Sequence, residues 1–422
     1  MATYHFKYGK TKFLLDIDSE RIAGELKIAE TPVLSDPETA IREAFRHPIG
    51  SAPLVKVVKP GETVTILVND STRVANSQLF LPILLDELNE AGIPDKNITI
   101  LFSLGTHHPL TQEEMTDLVG KTVAERIAMY NSDAKKTEDF ITLGATSFGT
   151  PVAFHKRAVN ADHIICTGSI VYHFFAGFGG GRKALFPGAS AYETIRHNHS
   201  FMLDPNAGLG RLKGNPVYDD QVEGTEMRRP SFLLNVVLNE KKEFLGVFAG
   251  DYIDAHLAGC KFVESIYGVP LDKPADLVIA TCGGYPKDIN VYQMQKTMDN
   301  AWLAVREGGV VILLAECIEG VGSDMMVEWM KQYKTPERIE EEVRKNFVIG
   351  GHKAYAVTRL MKKATFILVS SLPPELSSLL LFTPAATLDE AVENAHKLLG
   401  PEPSTLLMPQ GGLTVPIIKR QK

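Results

Sequence analysis

Short β-rich runs and longer amphipathic runs follow one another along most of this chain, and that alternation is its strongest constraint on fold. "TVTILVND" (63–70) has the β-branched, apolar character of a buried strand. "NSQLFLPILLDELNEAG" (76–92) then recurs at helical spacing, with Asn76 or Ser77 near its start. "NITILFSLG" (97–105) is again strand-like, and "TQEEMTDLVGKTVAERI" (111–127) reads as a helix opened by Thr111 with an acidic first turn. Further strands are expected at 163–170, 275–282, 309–317 and 364–371. Parallel strands need a crossover between them, usually a helix, so the pattern predicts α/β architecture with largely parallel sheets.

A chain of 422 residues is too long for a single core of ordinary size. "GVPLDKPAD" (268–276) carries two prolines between a helical run and a strand. It is the expected hinge, dividing an α/β domain of residues 1–270 from a second of 271–422, with the active-site cleft between them. Residues 203–230, with "DPNAG", "KGNP" and "RRP", read as a long loop or short helices. "LTVPIIKRQK" at the end reads as a strand followed by a frayed basic tail.

Charge and cysteine content narrow the function. The formal net charge of −7 argues against nucleic-acid binding, which needs a concentrated basic face. Any anionic ligand must be held by local cations. The opening "MATYHFKYGKTKFLLDIDSE" lacks the apolar core of a signal peptide, and no apolar run approaches the ~20 residues of a membrane span. Cys166, Cys260, Cys282 and Cys317 form no CxxC pair, so neither a zinc knuckle nor a disulfide framework is expected. The expected location is the cytoplasm, with no membrane partner.

Against that background one stretch stands out: "HFFAGFGGGRKALFPG" (173–188) has four glycines in five positions, followed by Arg182 and Lys183. Gly177, Gly179, Gly180 and Gly181 would let backbone N–H groups approach a phosphate closely. The run fails the Walker pattern, because Arg182 precedes the lysine and Ala184 follows it. It fails the GxGxxG fingerprint, because "GFGGGR" ends in arginine. A tight strand-to-helix turn explains the glycines equally well; the adjoining cations and His173 favour a site. Shortly after comes "HNHS", where His197 and His199 lie about 200° apart around a helix and so cannot both face one metal. "VNDSTR" sets Asp70, Ser71, Thr72 and Arg73 beyond one strand, and "GTHHPLT" sets His107 and His108 beyond another. Ligands of open α/β sheets gather at these carboxyl ends. A helix cap accounts for Ser71 or Thr72 but not for Arg73 or His107. In "CGGYPKDINVYQMQKTM" (282–298), Tyr292 and Lys296 share a helix face, with Gln293 beside them, which by itself describes an ordinary amphipathic helix.

Taken in order, "DSTR", "GTHHPLT", "HFFAGFGGGRK", "NHS" and "GGYPKDINVYQMQK" resemble the lactate racemase family of nickel-pincer-dependent 2-hydroxyacid racemases and epimerases, over nearly the whole chain. The resemblance implies a cofactor, the nickel complex of pyridinium-3-thioamide-5-thiocarboxylic acid mononucleotide, covalent at Lys183, with His199 rather than His197 as nickel ligand. It implies His107 and His173 as paired catalytic groups and Arg73 as the carboxylate grip. Asp70, Ser71, Thr72, Arg73 and Gly179, Gly180 and Gly181 would border the cofactor, and Tyr292, Gln293 and Lys296 the substrate. It also implies a small-molecule 2-hydroxy acid as substrate and cofactor-biosynthesis enzymes acting in trans. Many relatives carry arginine where this chain has His108, which leaves open lactate, a longer or aromatic hydroxy acid, a malate-like diacid or a sugar acid such as gluconate.

Two other enzyme classes fit less well. A nicotinamide-dependent dehydrogenase wants the absent GxGxxG, and a metallohydrolase wants an HExxH or a clear carboxylate–histidine set. A protein that stores or delivers the nickel cofactor without turnover remains the non-enzymatic alternative, against which the His107 and His173 pair argues.

Overall fold

The computed structural model describes residues 2–17 and 19–419. They fold as two compact units, Thr31–Glu264 and the combination of Met1–Glu30 with Ser265–Lys422. Both are α/β with largely parallel sheets, as the alternation predicts. The last basic residues, 420–422, lie outside the described residues.

In the Thr31–Glu264 unit, Val64–Asn69 is a central strand. It pairs in parallel with Ile98–Ser103 on one side and with His163–Ser169 on the other. Ala128–Asn131 extends the first side; Phe232–Leu238 and an antiparallel edge strand, Phe244–Gly250, extend the second. The centre is covered on both faces. Val64, Ile66 and Val68 pack into a core with Phe80, Leu84 and Leu88, while Leu67 packs oppositely with Phe154, Phe186 and Tyr252. A strand buried on both faces shows no polar alternation, which is why "VTILV" reads as a continuous apolar run.

Two expectations change in this unit. The helix foreseen at 111–127 is two helices, Gln112–Val119 and Lys121–Arg126, because Gly120 turns the chain at φ +83°. Its start is as expected: Thr111 and Glu114 form a reciprocal capping box. Within 203–230 lies an eleven-residue helix, Pro216–Glu226, capped by Asn215 and buried through Asp220, Gln221 and Thr225 as well as Val217. Its polar inner face leaves no apolar stripe to recognise in the sequence.

The other unit has a six-stranded, fully parallel sheet in the order Thr383–Ala385, Thr365–Val369, Val305–Leu314, Ala275–Thr281, Thr405–Met408 and Ile22–Glu25. The chain's first thirty residues, expected with residues 1–270, belong here. Ile22–Glu25 adds to the edge of this sheet, and the hairpin of Ala2–Tyr8 and Thr11–Ile17 buries Phe6 and Leu15 against Leu277, Ile279 and Ile312. The expected hinge is also ordered: Gly268–Leu271 is a strand paired in parallel with Val415–Ile418. Among the described residues no helix is long and apolar enough to cross a membrane.

Candidate active site

The strand order of the Thr31–Glu264 sheet places a topological switch beside its central strand. From Val64–Asn69 the chain runs outward through Ile98–Ser103 on one side and resumes with His163–Ser169 on the other. At such a switch point the loops leaving the carboxyl ends of the strands diverge, which is where open α/β sheets bind ligands. The loops concerned are those carrying Asp70–Arg73, His107 and the glycine-rich run. The latter two are tied together, since the Gly105 N–H donates to the Gly188 carbonyl at 2.9 Å.

Asp70 and His107, from different strand ends, meet directly: His107 Nδ1 pairs with Asp70 Oδ2. Asp70 Oδ1 also accepts from the Thr72 N–H at 3.0 Å and hydroxyl at 2.6 Å. Burial pushes the Asp70 carboxyl upward, but the His107 and Thr72 hydrogen bonds and the charges of His107 and Arg73 outweigh it and hold it below its ordinary value. A carboxylate only accepts, so His107 carries a proton on Nδ1, and in the neutral ring Nε2 presents the lone pair. Asp70 is buried, while the His107 side chain is 41% exposed. Ser71 and Arg73 are exposed. His108 is exposed too, 3.9 Å from Glu114.

His173, Lys183 and His199 gather around one side chain that sequence reasoning did not single out, Phe175. The His173 ring meets it edge-on at 4.5 Å, His199 at 5.1 Å, and Lys183 Nζ lies 5.6 Å from its centroid. His173 Nδ1 accepts the Ala176 N–H at 3.3 Å, so in the neutral ring the proton sits on Nε2. The Lys183 amine is held well below the ordinary lysine value by burial first, then by the Arg73 and Arg182 charges. Phe175 itself is fixed through its carbonyl, which accepts from Asn215 Nδ2 at 2.7 Å.

The glycine run differs from an open phosphate cradle. The Gly179 N–H donates to the Val171 carbonyl at 2.7 Å and the Gly181 N–H to Asn235 Oδ1 at 2.7 Å. At Gly181, φ is +59° and a Cβ would lie 2.7 Å from the His256 ring. The bareness of the loop therefore serves close packing over His256 and Asn235. His256 is held neutral, its pKa lowered to about 3 by burial and by Arg182, and donates Nε2–H to the Gly179 carbonyl. Arg182 is not a second loop cation beside Lys183. It is 2% exposed, stacks 4.1 Å from the Tyr218 ring, and has its pKa lowered to about 10 by burial.

On the Tyr192–Ser200 helix the two histidines diverge as their spacing requires. His199 packs on Phe175, whereas His197 bonds Thr150 and packs on Phe201 at 5.3 Å. Tyr292, Gln293 and Lys296 lie in the other unit, in the first turns of the Val291–Ala304 helix. There Lys296 Nζ donates to Gln293 Oε1 at 3.1 Å, and Lys353 stands 4.2 Å over the Tyr292 ring.

The Phe175 cluster suits a group that is anchored through an amine and carries a metal to an imidazole. Among the described residues no set of three or more His, Cys, Asp or Glu side chains is arranged to hold a metal ion, so a metal here would arrive with donors of its own.

Residues 8–210 match the family model of the lactate racemase N-terminal domain, and residues 271–417 that of the C-terminal domain. Lactate racemase of Thermoanaerobacterium thermosaccharolyticum is 33% identical, over the full length of both chains. That of Lactiplantibacillus plantarum is 34% identical over 97% of this chain and 99% of its own. The solved lactate racemase apoprotein from T. thermosaccharolyticum superposes with a TM-score of 0.91 at 32% identity, covering 99% of this chain and all of the other. A solved Thermotoga maritima protein, 19% identical with a TM-score of 0.65 over 90% of this chain and 98% of its own, shares the fold.

Proposed function

The chain belongs to the lactate racemase family, and on that premise we propose that it inverts C2 of a small 2-hydroxy acid, lactate or a close relative, at the Asp70–His107 and Phe175 centre. Membership makes it an isomerase of the racemase type. The observation that carries the reading is the Phe175 ring, which brings Lys183, His199 and His173 to one place.

In this reading Lys183 anchors a nickel-pincer nucleotide, its amine nucleophilic because burial and the neighbouring guanidinium groups disfavour its charge. His199 offers nickel an imidazole nitrogen. Asp70, Ser71, Thr72 and Arg73 border the cofactor, together with the backbone of Gly179, Gly180 and Gly181. When bound, the group supplies a hydride-accepting carbon, which spares the protein from ionising a very weakly acidic C2–H.

The remaining work falls to the chain. Arg73 grips the substrate carboxylate through its planar fork and keeps the transient 2-keto acid in place. His107 takes the hydroxyl proton at Nε2, and Asp70 beneath it stabilises the resulting imidazolium. His173 serves the opposite face. To release a proton it must first become imidazolium, giving up the 3.3 Å contact with the Ala176 N–H. The reading also assigns substrate-binding roles to Tyr292, Gln293 and Lys296 on the Val291–Ala304 helix.

The test is a panel of single-enantiomer 2-hydroxy acids, gluconate included, deuterated at C2 and supplied in ordinary water to protein matured with the cofactor. The expected product is the opposite enantiomer with its deuterium retained. Loss of the label to solvent would exclude internal hydride return, and absence of turnover on every acid would exclude the racemase assignment.

A further inference from the structure

The helix that carries His199 is held by a buried polar network absorbed by none of the roles above. Asp220, on the Pro216–Glu226 helix, is completely buried. Its Oδ1 accepts the Thr146 hydroxyl at 2.6 Å; its Oδ2 accepts the Thr150 hydroxyl at 2.9 Å and Asn198 Nδ2 at 2.8 Å. Thr150 and Asn198 are themselves fully buried. Asn198 Oδ1 accepts from Gln221 Nε2 at 2.9 Å. Since Thr150 gives its only proton to the carboxylate, its contact with His197 Nδ1, at 2.8 Å, is one in which the imidazole donates. Two consecutive residues, His197 and Asn198, are thus bound to one carboxylate, directly or through one hydroxyl, and the next residue is His199.

The same helix fixes the other half of the cluster. Asn215, its cap, donates Nδ2 to the Phe175 carbonyl and accepts the Val217 N–H on Oδ1 at 3.0 Å. The anchor of the Phe175 backbone and the anchor of the helix bearing His199 are therefore only five positions apart in sequence. An apolar core would fill this space without fixing rotation of one helix against another; directional bonds to a single carboxylate do fix it.

We infer that Asp220 is a positioning residue, which through Thr150 and Asn198 sets the rotation and axial position of the Tyr192–Ser200 helix and so aims the His199 imidazole at the metal. The inference rests on the reading of His199 as nickel ligand and goes beyond it by naming what orients that ligand.

The experiment compares Asp220→Ala, Thr150→Val and Asp220→Asn with the wild type. Each protein is matured with cofactor, its Lys183 adduct is quantified by intact mass, and nickel release into a chelator is timed. Asp220→Ala and Thr150→Val should keep the adduct but release nickel at least ~10-fold faster, in line with the ~10–100-fold effect of partners that orient metal ligands. Asp220→Asn should behave nearly as wild type, because its carbonyl can face Thr150 and Asn198 while its amide faces the Thr146 hydroxyl, which can turn. A second readout needs no cofactor: ¹⁵N spectra of the apoprotein should show His197 protonated on Nδ1, and Thr150→Val should lose that signature. If Asp220→Ala does not fold, Thr150→Val decides. Wild-type nickel release from both variants, with loading intact, overturns the inference alone. A wild type that takes up neither adduct nor nickel overturns the cofactor reading, and the inference with it.

Discussion

Replacing Asp70 by asparagine changes one oxygen to an NH2 group and should nearly abolish turnover. The geometry dictates where that group goes. Asp70 Oδ1 receives two donors from Thr72, one of them a backbone N–H that cannot reverse, while Oδ2 receives only His107 Nδ1. The amide carbonyl must therefore stay with Thr72 and the NH2 must face His107. The ring then accepts at Nδ1 and carries its proton on Nε2, so the nitrogen that should take the substrate proton is already occupied. The carboxylate that stabilises the His107 imidazolium is lost as well. A buried aspartate that fixes a catalytic histidine tautomer is worth about 10⁴ in kcat elsewhere, equivalent to about 5.5 kcal/mol of barrier. We expect a loss of ~10³–10⁴ in both directions, with cofactor loading and nickel content unchanged. Racemisation rates on the loaded variant, with ¹⁵N spectra of His107, measure both halves of the argument. Activity within threefold of wild type, or a His107 that keeps its proton on Nδ1, would refute it.

Asp70 also sets a pH dependence: because the fold lowers its pKa, its stabilisation is present above the ordinary carboxylate range of about 4 and disappears as pH falls through its folded value. The difference in unfolding free energy between wild type and Asp70→Asn should accordingly shrink on acidification below that range. Lys183, whose amine is held well below the ordinary lysine value, should be acylated ahead of the surface lysines by a limiting amine reagent, and peptide mapping that finds it unmodified would remove the basis for its nucleophilic role. His199→Ala should lose nickel while His197→Ala retains most of it, because only the former ring faces Phe175; equal losses would reassign the ligand. Gly181→Ala should cost about 2–5 kcal/mol, from a left-handed backbone (~1–2 per residue) and the clash with His256 (~1–3), read as a lowered urea midpoint.

Local chemistry was enough to announce the strands. Runs such as "TVTILVND" and "NITILFSLG" are apolar because both faces of a parallel sheet are covered, and any chain folding this way must show it. Thr111 with Glu114 announced a helix start because a capping box is completed within four residues. The candidate site was legible for a similar reason: polar and titratable residues at strand ends stand out against apolar runs, so Asp70, Arg73 and His107 could be singled out before any geometry. Divergence of His197 and His199 followed from helical pitch alone. Features that depend on a distant partner were not legible. Gly268–Leu271 looks like a proline-rich linker until Val415–Ile418 pairs with it, and Ile22–Glu25 joins a sheet whose next strand lies nearly four hundred residues later. Arg182 reads as a cation at a loop, yet it is buried on Tyr218. Phe175 reads as one aromatic among several, yet three candidate site residues, His173, Lys183 and His199, gather on it. Asp220 reads as a surface acid in a polar stretch, yet it is the buried acceptor for residues some twenty and seventy positions away in sequence. The sequence determined periodicity, caps and which side chains could do chemistry, because those are set by neighbours along the chain. Only the tertiary structure decided which of them meet, because a hydrogen bond or a ring contact between distant residues exists only once the sheet order has brought their strand ends together.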